Sequence, residues 1–395
     1  MIVGKSFYII DGHWQIFRSY YAPFRDLTSP SGEPTRATYV FTTMLMKLIT
    51  ERKPDYLAVA MDSGREHLQR TRIYPEYKAN RDKPPEDLPP QIERITQIIR
   101  AMGVPILQIE GAEADDIMAT IVGRLAGADL RVVMVSRDKD LEQLIGPHAV
   151  LFDPMKDEII DAARLEQVKG YPPVKAVEIQ ALCGDTSDNV PGVPGVGPKT
   201  AVKLIGQYGS AEAVVAHADE LTPKLAQNIR THTDTITLAK KLVTLTDDVD
   251  MDADLPKFTF QGLDTESLRP IFDELGFRRL IEQLKPADSA PHGTQSVGLA
   301  SIGGQTTARD FDYRCVDTPK ALNELTKELQ GVTHLAVDTE TTSVRPTWAG
   351  LVGISLAWRE GPAVYIPVAG PLGAKVLDVE IVRKSLAGVF ADKKI

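Results

Sequence analysis

Short apolar runs alternate with helix-period segments through the first half of the chain, and this alternation strongly constrains the fold. Five runs have the length and composition of buried strands: SFYIIDG, DYLAVAMD, VPILQIEG, LRVVMVS and AVLFD. Helical periodicity lies between and after them, near Thr38–Lys53, Pro90–Met102, Ala114–Leu125 and Lys139–Ile145. This order predicts an α/β fold with a doubly wound, mostly parallel sheet, in which ligands bind beyond the carboxyl ends of the strands.

Nine acidic residues stand inside short phrases at strand ends and helix starts. They are Asp11 in IIDGH, Asp62 in AVAMDSG, Glu113, Asp115 and Asp116 in GAEADDI, Asp138 and Asp140 in SRDKD, and Asp185 and Asp188 in GDTSDN. One such aspartate is often only a helix N-cap, and acids in a first turn gain about 0.3–1 kcal/mol each from the helix dipole. So many carboxylates at one edge would raise one another's pKa, and two divalent cations would relieve that repulsion. The pattern predicts a two-metal site of the kind that cuts phosphodiesters.

The last acidic pair runs directly into VPGVPGVGPKTA. Gly192, Gly195 and Gly197 permit a tight turn whose backbone N–H groups point outward and can donate to phosphate oxygens. Alternatively, the carbonyls of the turn hold a monovalent cation such as K⁺ that bridges to a phosphate. Lys199 and Thr200 open the following helix and would reinforce the contact. This segment is therefore predicted to grip a nucleic-acid backbone.

A basic segment interrupts an acidic chain. The net charge is −9, yet the stretch from Arg65 to Lys83 carries six basic residues against three acidic ones. Such a segment indicates phosphate contact, although a solvated surface loop explains it equally well when taken alone. Lys78 and Arg81, three residues apart, would share a helix face and hold a scissile phosphate, with Tyr77 beside them to stack a base.

The second half of the sequence contains three segments of different composition and periodicity. Residues from Pro173 to Leu284 have helical periodicity, and the following residues, to about 310, have the Pro, Gly, Ser and Thr content of a linker. After them a helix and three strand-like runs, HLAVDTET, LVGISLAW and AVYIPV, are expected. Asp338 and Glu340 would share one strand face as the opening of a further metal site, although such a pair is common by itself.

Cysteine content and hydropathy indicate the cellular compartment in which the chain is expected. Cys183 and Cys315 are the cysteines of the sequence, so disulfides do not organise the fold and a reducing cytoplasm is expected. The N-terminal apolar run is short and is broken by Asp11, which fits a core strand and not a signal peptide. No apolar stretch approaches the roughly 20 residues that span a bilayer, so no membrane partner is expected.

Together, IIDGH, YPEYKANR, GAEADD, SRDKD and GDTSDNVPGVPGVGPKTA resemble the 5′-nuclease domain of the bacterial DNA polymerase I family, within the flap endonuclease superfamily. AVDTET, LVGISLAW and YIPV resemble the start of the 3′–5′ proofreading domain of the same family. The resemblance implies a PIN-like or resolvase-like α/β core over 1–172 with a helical arch at about 63–90, a helix-hairpin-helix region over 173–285, a flexible linker over 286–310, and an incomplete RNase H-like exonuclease domain over 311–395.

The resemblance also assigns roles to residues. It implies one ion, Mg²⁺ or Mn²⁺, surrounded by Asp11, Asp62, Glu113, Asp115 and Asp116, and a second surrounded by Asp138, Asp140, Asp185 and Asp188. It implies that Tyr77, Lys78 and Arg81 act in the arch through which a 5′ single strand passes, and that Arg70 or Arg72 supplies a further DNA contact. The N-x-x-x-D and Y-x-x-x-D patterns of a complete proofreading site do not follow Glu340, and no polymerase sequence follows, so a fragment of a longer protein is expected.

The expected function is that of a metal-dependent 5′–3′ exonuclease and flap endonuclease acting on DNA with 5′ flaps, nicks or RNA primers. It would act as a monomer, joined covalently to polymerase domains in the full-length protein, at the nucleoid in a bacterial cytoplasm. Two alternatives stay open: a self-standing 5′ nuclease, and a non-catalytic, structure-specific DNA-binding module in which the acids are vestigial.

Overall fold

The computed structural model describes residues 4–64, 68–81, 83–284, 312–341, 350–358, 362–369 and 375–391. The chain divides into two compact units, residues 1–293 and 294–395, and each is described by itself. The linker predicted at 286–310 and part of the predicted arch, 65–67 and 82, lie outside the described residues.

A six-stranded sheet with the order β3-β2-β1-β4-β5-β6 forms the centre of the first unit. Its strands are β1 (Lys5–Asp11), β2 (Tyr56–Ala60), β3 (Ile106–Leu107), β4 (Leu130–Val135), β5 (Ala149–Asp153) and β6 (Glu158–Ile160). Neighbouring strands are parallel except β5 and β6, which confirms the predicted mostly parallel sheet. The strand order reverses beside β1, with β2 and β3 on one side and β4 and β5 on the other. Such a switch point is where open α/β sheets bind ligands.

Helices cover both faces of this sheet. Those of the first half are α1 (Gly12–Tyr20), α2 (Arg36–Arg52), α3 (Gln69–Ile73), α4 (Leu88–Ala101) and α5 (Ala114–Leu125). Tyr8 and Ile10 pack into the cluster that holds α1, α2 and α4, whereas Phe7 and Ile9 pack with α5. Side chains alternate across a strand, so β1 supplies both hydrophobic cores at once. This burial on both faces is the physical reason for the continuous apolar run in the sequence.

The segment between α3 and α4 is mostly turn. Residues 75–80 are turns, and Lys78 has a left-handed backbone with φ of +55°. The expectation that Lys78 and Arg81 share a helix face is therefore wrong. Pro75 explains the difference, because proline disfavours helical backbone in the preceding residue, and Tyr74 is extended at φ −139° and ψ 97°.

Helices dominate the remainder of the first unit. They are α6 (Ala162–Lys169), α7 (Ala176–Cys183), α8 (Pro198–Tyr208), α9 (Ala211–Ala216), α10 (Pro223–Thr231), α11 (Thr233–Val243), α12 (Thr265–Leu275) and α13 (Arg278–Gln283). Leu182, Leu204 and Ile229 belong to a separate core beneath α7, α8 and α10. Phe272 of α12 and Leu280 of α13 instead join the cluster on the sheet. The end of the predicted helical region thus packs on the α/β core.

The second unit contains a four-stranded sheet with the order β7-β10-β9-β8. Its elements are β7 (Asp312–Cys315), α14 (Pro319–Glu328), β8 (Ala336–Thr341), β9 (Leu351–Ala357), β10 (Pro362–Pro367) and α15 (Val379–Phe390). Leu325 and Leu386 of the two helices share a hydrophobic cluster with Leu356 and Ile366 of the sheet. Across the described parts of both units, no helix combines the length and apolar composition needed to cross a bilayer.

Candidate metal centre

Four aspartates line one cavity at the switch point of the first sheet. Asp11 ends β1, Asp62 follows β2 and Asp138 follows β4, and these three strands are neighbours; Asp115 lies in the first turn of α5. The cavity has a volume of about 820 Å³ and is also lined by Lys78 and Arg81. The predicted meeting of strand-end carboxylates therefore occurs, and it includes Asp138, which the family resemblance assigned to the other ion.

Local hydrogen bonds fix the orientation of these aspartates. The hydroxyl of Ser136 donates to Asp11 Oδ2 over 2.9 Å, and Ala114 N donates to Asp62 Oδ1 over 2.8 Å. His13 Nδ1 accepts from Asp62 N over 3.0 Å. Sequence reasoning did not single out His13, although it stands beside Asp11 in IIDGH. These contacts join the ends of β1, β2 and β4 to the start of α5.

Burial and mutual repulsion raise the pKa values of these acids. Burial, and then Asp62 and Asp138, raise the pKa of Asp11 to about 8. Burial, and then Asp138 and Asp11, raise the pKa of Asp115 well above its ordinary value. Burial also raises the pKa of Asp138, against a hydrogen bond from Asp140 N. Ionising these carboxylates at the same time is costly, because their charges repel one another. A divalent cation bound among them would stabilise the ionised forms.

A second acidic cluster lies next to the first. Carboxylate oxygens of Asp140, Asp185 and Asp188 lie within 4.8 Å of one another, and all three residues are buried. Asp140 begins a 3₁₀ turn at Asp140–Leu144, and an isolated bridge between Asp185 and Val190 closes the loop that follows α7. Burial, and then Asp138, raise the pKa of Asp140 to about 7. The structure brings these three predicted ligands together.

Protein side chains already contact each acid of this second cluster. Lys139 Nζ lies 2.8 Å from Asp185 Oδ1, and Gln180 Nε2 donates to Asp140 Oδ1 over 2.5 Å. Asp188 pairs with Arg81 and, over 3.4 Å, with Lys78. Burial would raise the pKa of Asp188, but the two cations outweigh it and lower the pKa below its ordinary value. Sequence reasoning missed Lys139, which lies within SRDKD, and Gln180, for which the sequence carries no signal.

Glu113 and Asp116 are expected among the ligands of the first ion, but a buried arginine, Arg70, binds both of them. Arg70 Nη1 lies 2.6 Å from Glu113 Oε2, and the two Nη atoms contact the Asp116 oxygens over 2.6 and 2.8 Å. Thr246 N donates to Asp116 Oδ1 over 2.9 Å. Both Asp116 oxygens therefore have partners. Of the two arginines predicted to contact DNA, Arg70 is buried against these acids and Arg72 is exposed.

Tyr77 and Lys78 bridge the first turn of α5 and the second cluster. Tyr77 OH donates to Glu113 Oε1 over 3.2 Å or to Asp188 Oδ2 over 3.1 Å, and Lys78 Nζ pairs with Glu113. Lys78 N donates to the Asp188 carbonyl over 2.9 Å. Tyr77 is only 3% exposed, so its ring does not offer the stacking face that the sequence reasoning expected.

The glycine segment forms a tight turn between α7 and α8. Val196 N donates to Val193 O over 3.0 Å, and Gly195 has a φ of +82°. Proline followed by glycine at the centre of such a turn is typical of type II geometry. A Cβ at Gly192 would lie 2.3 Å from the Cys183 carbonyl oxygen, so the turn packs directly on the end of α7.

The other hairpin residues predicted to contact DNA lie at the start of α8. Gly197 is the N-cap position, Lys199 is exposed and Thr200 is half-buried in the first turn. Asn228 Nδ2, on α10, donates to the Pro194 carbonyl over 2.8 Å and fixes the turn from outside. Sequence reasoning missed Asn228. The hairpin therefore presents exposed backbone and one lysine to solvent.

Asp338 and Glu340 belong to β8 of the second unit. Both are exposed, and they pair across the sheet with Ser355 and Gly353. Among the described residues, neither joins a group of three acids, histidines or cysteines that could hold a metal.

Comparisons with known proteins cover nearly the whole chain. Residues 6–170 match the 5′-3′ exonuclease N-terminal resolvase-like domain, 171–266 the 5′-3′ exonuclease C-terminal SAM fold, and 313–395 a 3′-5′ exonuclease domain. A DNA polymerase I of Chloroflexus aurantiacus is 33% identical over 97% of this chain and 44% of its own length. The chain spans less than half the length of the DNA polymerase I relatives it matches.

A shorter relative and two solved structures each match 71% of the chain. A 5′-3′ exonuclease of Aquifex aeolicus is 34% identical over 71% of this chain and 95% of its own length. T5 5′-exonuclease with bound zinc has a TM-score of 0.51 at 21% identity, over 71% of this chain and 99% of that one. A bacteriophage T5 flap endonuclease complex with DNA and metal ions gives the same TM-score of 0.51, and both likenesses show the fold. This chain belongs to the 5′-3′ exonuclease family.

Proposed function

We propose that this chain hydrolyses phosphodiesters near the 5′ ends of DNA, as a divalent-cation-dependent 5′–3′ exonuclease and flap endonuclease. The observation that carries the proposal is the cavity at the switch point, where Asp11, Asp62, Asp115 and Asp138 converge beside Lys78. Membership in the 5′-3′ exonuclease family supports the reaction type.

The acids suit hard divalent cations. All the converging side chains are carboxylates, and oxygen ligands of this kind favour Mg²⁺ or Mn²⁺. One ion would be held by Asp11, Asp62, Asp115 and Asp138, and the other by Asp140, Asp185 and Asp188. Bound there, the cations would lower the pKa of an attacking water and stabilise the charge that develops in the transition state.

The basic residues of the cavity supply charge to the substrate. Lys78 and Arg81 now pair with Glu113 and Asp188. An entering phosphodiester would compete with those carboxylates for the same cations, and the retained contacts would stabilise the scissile phosphate. Arg70 has a different role, because its ion pairs fix the first turn of α5 and thereby hold Asp115 in place.

The glycine hairpin would bind the duplex next to the cut. Its exposed backbone at Gly195 and Gly197, with Lys199 and Thr200, can contact phosphates without reading base sequence. A K⁺ ion held by turn carbonyls would serve the same contact. The affinity for duplex DNA should therefore fall steeply as the salt concentration rises.

The substrates proposed are DNA with 5′ flaps, nicks or RNA primers. The DNA polymerase I relatives support a role in which this chain, a monomer, is joined to polymerase domains and acts at the bacterial nucleoid.

A 5′-flap substrate tests the proposal. Cleavage should require Mg²⁺ or Mn²⁺, stop with EDTA, and be abolished by Asp138→Asn. Asp129→Asn is the matched control, because Asp129 is exposed just before the N-terminal end of β4, whereas Asp138 follows its C-terminal end. The Asp129→Asn variant should cleave normally. Cleavage that persists in EDTA, or normal turnover by Asp138→Asn, would refute the site; binding without any cleavage would favour the non-catalytic module.

A further inference from the structure

Gln180 is a buried residue of α7 that holds Asp140. It is 7% exposed, and its Nε2 donates to Asp140 Oδ1 over 2.5 Å. Gln143 Nε2 donates to the main-chain carbonyl of Asp140 over 2.7 Å. Asp140 is thus fixed through its backbone and its carboxylate by two different amides.

The other end of the Gln180 amide has no hydrogen-bond partner within the described part of the chain. Its Oε1 is buried and accepts no hydrogen bond from the described residues. Leaving such an acceptor unpaired costs about 1–3 kcal/mol. Since the two polar atoms of a side-chain amide are only about 2.3 Å apart, Oε1 lies within about 5 Å of Asp140 Oδ1. The unpaired oxygen therefore lies beside the second acidic cluster.

The cluster itself offers no donor for this oxygen. Its carboxylates are acceptors when ionised. The nearby lysines pair with carboxylates, Lys139 with Asp185 and Lys78 with Glu113 and Asp188, and neither donates to Gln180 Oε1. A hard divalent cation, in contrast, usually keeps several waters, and each of these waters can donate hydrogen bonds through its O–H groups.

We infer that Gln180 is a positioning residue for the second cation: its amide N–H orients Asp140, and its amide oxygen accepts a hydrogen bond from a water that accompanies the ion. The inference rests on the proposed function, because it needs a cation at Asp140, Asp185 and Asp188. A helix residue outside the acidic phrases thereby becomes part of the metal centre.

Mn²⁺ binding to the full chain, measured by calorimetry and electron paramagnetic resonance, tests this role. Gln180→Met keeps the side-chain length and removes both polar atoms. It should weaken one of two bound Mn²⁺ ions by about 10–100-fold, the effect typical of losing such an outer partner. The unfolding temperature without metal should stay near wild type, and kcat on a flap substrate should recover at high Mn²⁺ with an unchanged KM for DNA. Gln207→Met, at an exposed position of α8, is the matched control.

The outcomes separate this inference from the proposed function. Wild-type affinity for both ions in Gln180→Met would overturn the inference and leave the function intact. A wild-type chain that binds no Mn²⁺ would overturn both. If Gln180→Met fails to fold, Gln180→Asn withdraws the amide by one carbon–carbon bond and should give the same loss of affinity, while unchanged affinity there would also overturn the inference.

Discussion

Arg70→Met should destabilise the first unit strongly, because it leaves two buried acids without their ion-pair partner. The Arg70 side chain is only 8% exposed and contacts Glu113 and Asp116 over distances of 2.6 to 2.8 Å. Its Nε and Nη2 also donate to the Leu242 and Thr244 carbonyls over 2.7 and 3.0 Å. Methionine would remove all of these donors and leave the acceptors buried.

The magnitude follows from the cost of an uncompensated buried charge. Removing one partner of a buried ion pair costs about 3–5 kcal/mol, and two carboxylates are affected here, so the loss of unfolding free energy should lie toward the upper end of that range. Arg72→Met, on the same short helix but exposed, should change the unfolding free energy by less than about 0.5 kcal/mol. Adding Glu113→Gln and Asp116→Asn to Arg70→Met should recover much of the loss, since no unpaired charge then remains.

Hydrogen exchange as a function of urea measures this effect in the first unit alone. Peptides covering β1 and β4 report its core, since Ile9, Ile10 and Val132 are fully buried there. A loss below about 1 kcal/mol in Arg70→Met, or equal losses in Arg70→Met and Arg72→Met, would show that the ion pairs do not hold α5 as described.

Without divalent cations, stability should fall as the pH rises from about 4 to 8, because the raised pKa of Asp11 lets the folded state keep a proton that the unfolded state has released. Calorimetry in EDTA should show this slope, and Asp11→Asn should flatten it; a melting temperature independent of pH would contradict the reasoning. Gly192→Ala should weaken both folding and duplex binding, since its Cβ would meet the Cys183 carbonyl. Gly206→Ala, at an exposed position of α8 with nothing within 4 Å of the added Cβ, should weaken neither in the same denaturation and binding assays, and equal losses in the two variants would count against the packing argument. Lys78→Ala should lower kcat more than it raises KM in single-turnover and steady-state kinetics, and a change confined to KM would reduce Lys78 to a binding contact.

The sequence predicted what depends on local patterns. Strand periodicity and burial on both faces placed β1, β2 and β4 correctly, and the rule for parallel sheets then brought Asp11, Asp62 and Asp138 to one edge. The loop after α7 was equally predictable, because its acids and glycines are close together in the chain.

Long-range pairing could not be predicted in the same way. Arg70 and Asp116 are far apart in sequence, and a basic segment gives no sign of which acid each cation will bind. Residue spacing alone predicts Lys78 on a helix face, whereas Pro75 and the hydrogen bond to Asp188 determine its conformation. Gln180 has no pattern of any kind, since its role arises only when α7 packs beside Asp140.

One continuous connection between α7 and α8 carries Asp185 and Asp188 at its start and the hairpin turn at its end. In the proposed complex with DNA, the covalent length of this connection sets how far the reacting phosphate lies from the duplex backbone at the turn. Under the proposed function, insertions or deletions in this connection would relocate the incision by whole nucleotides, whereas substitutions around the cavity would change only how fast the incision is made.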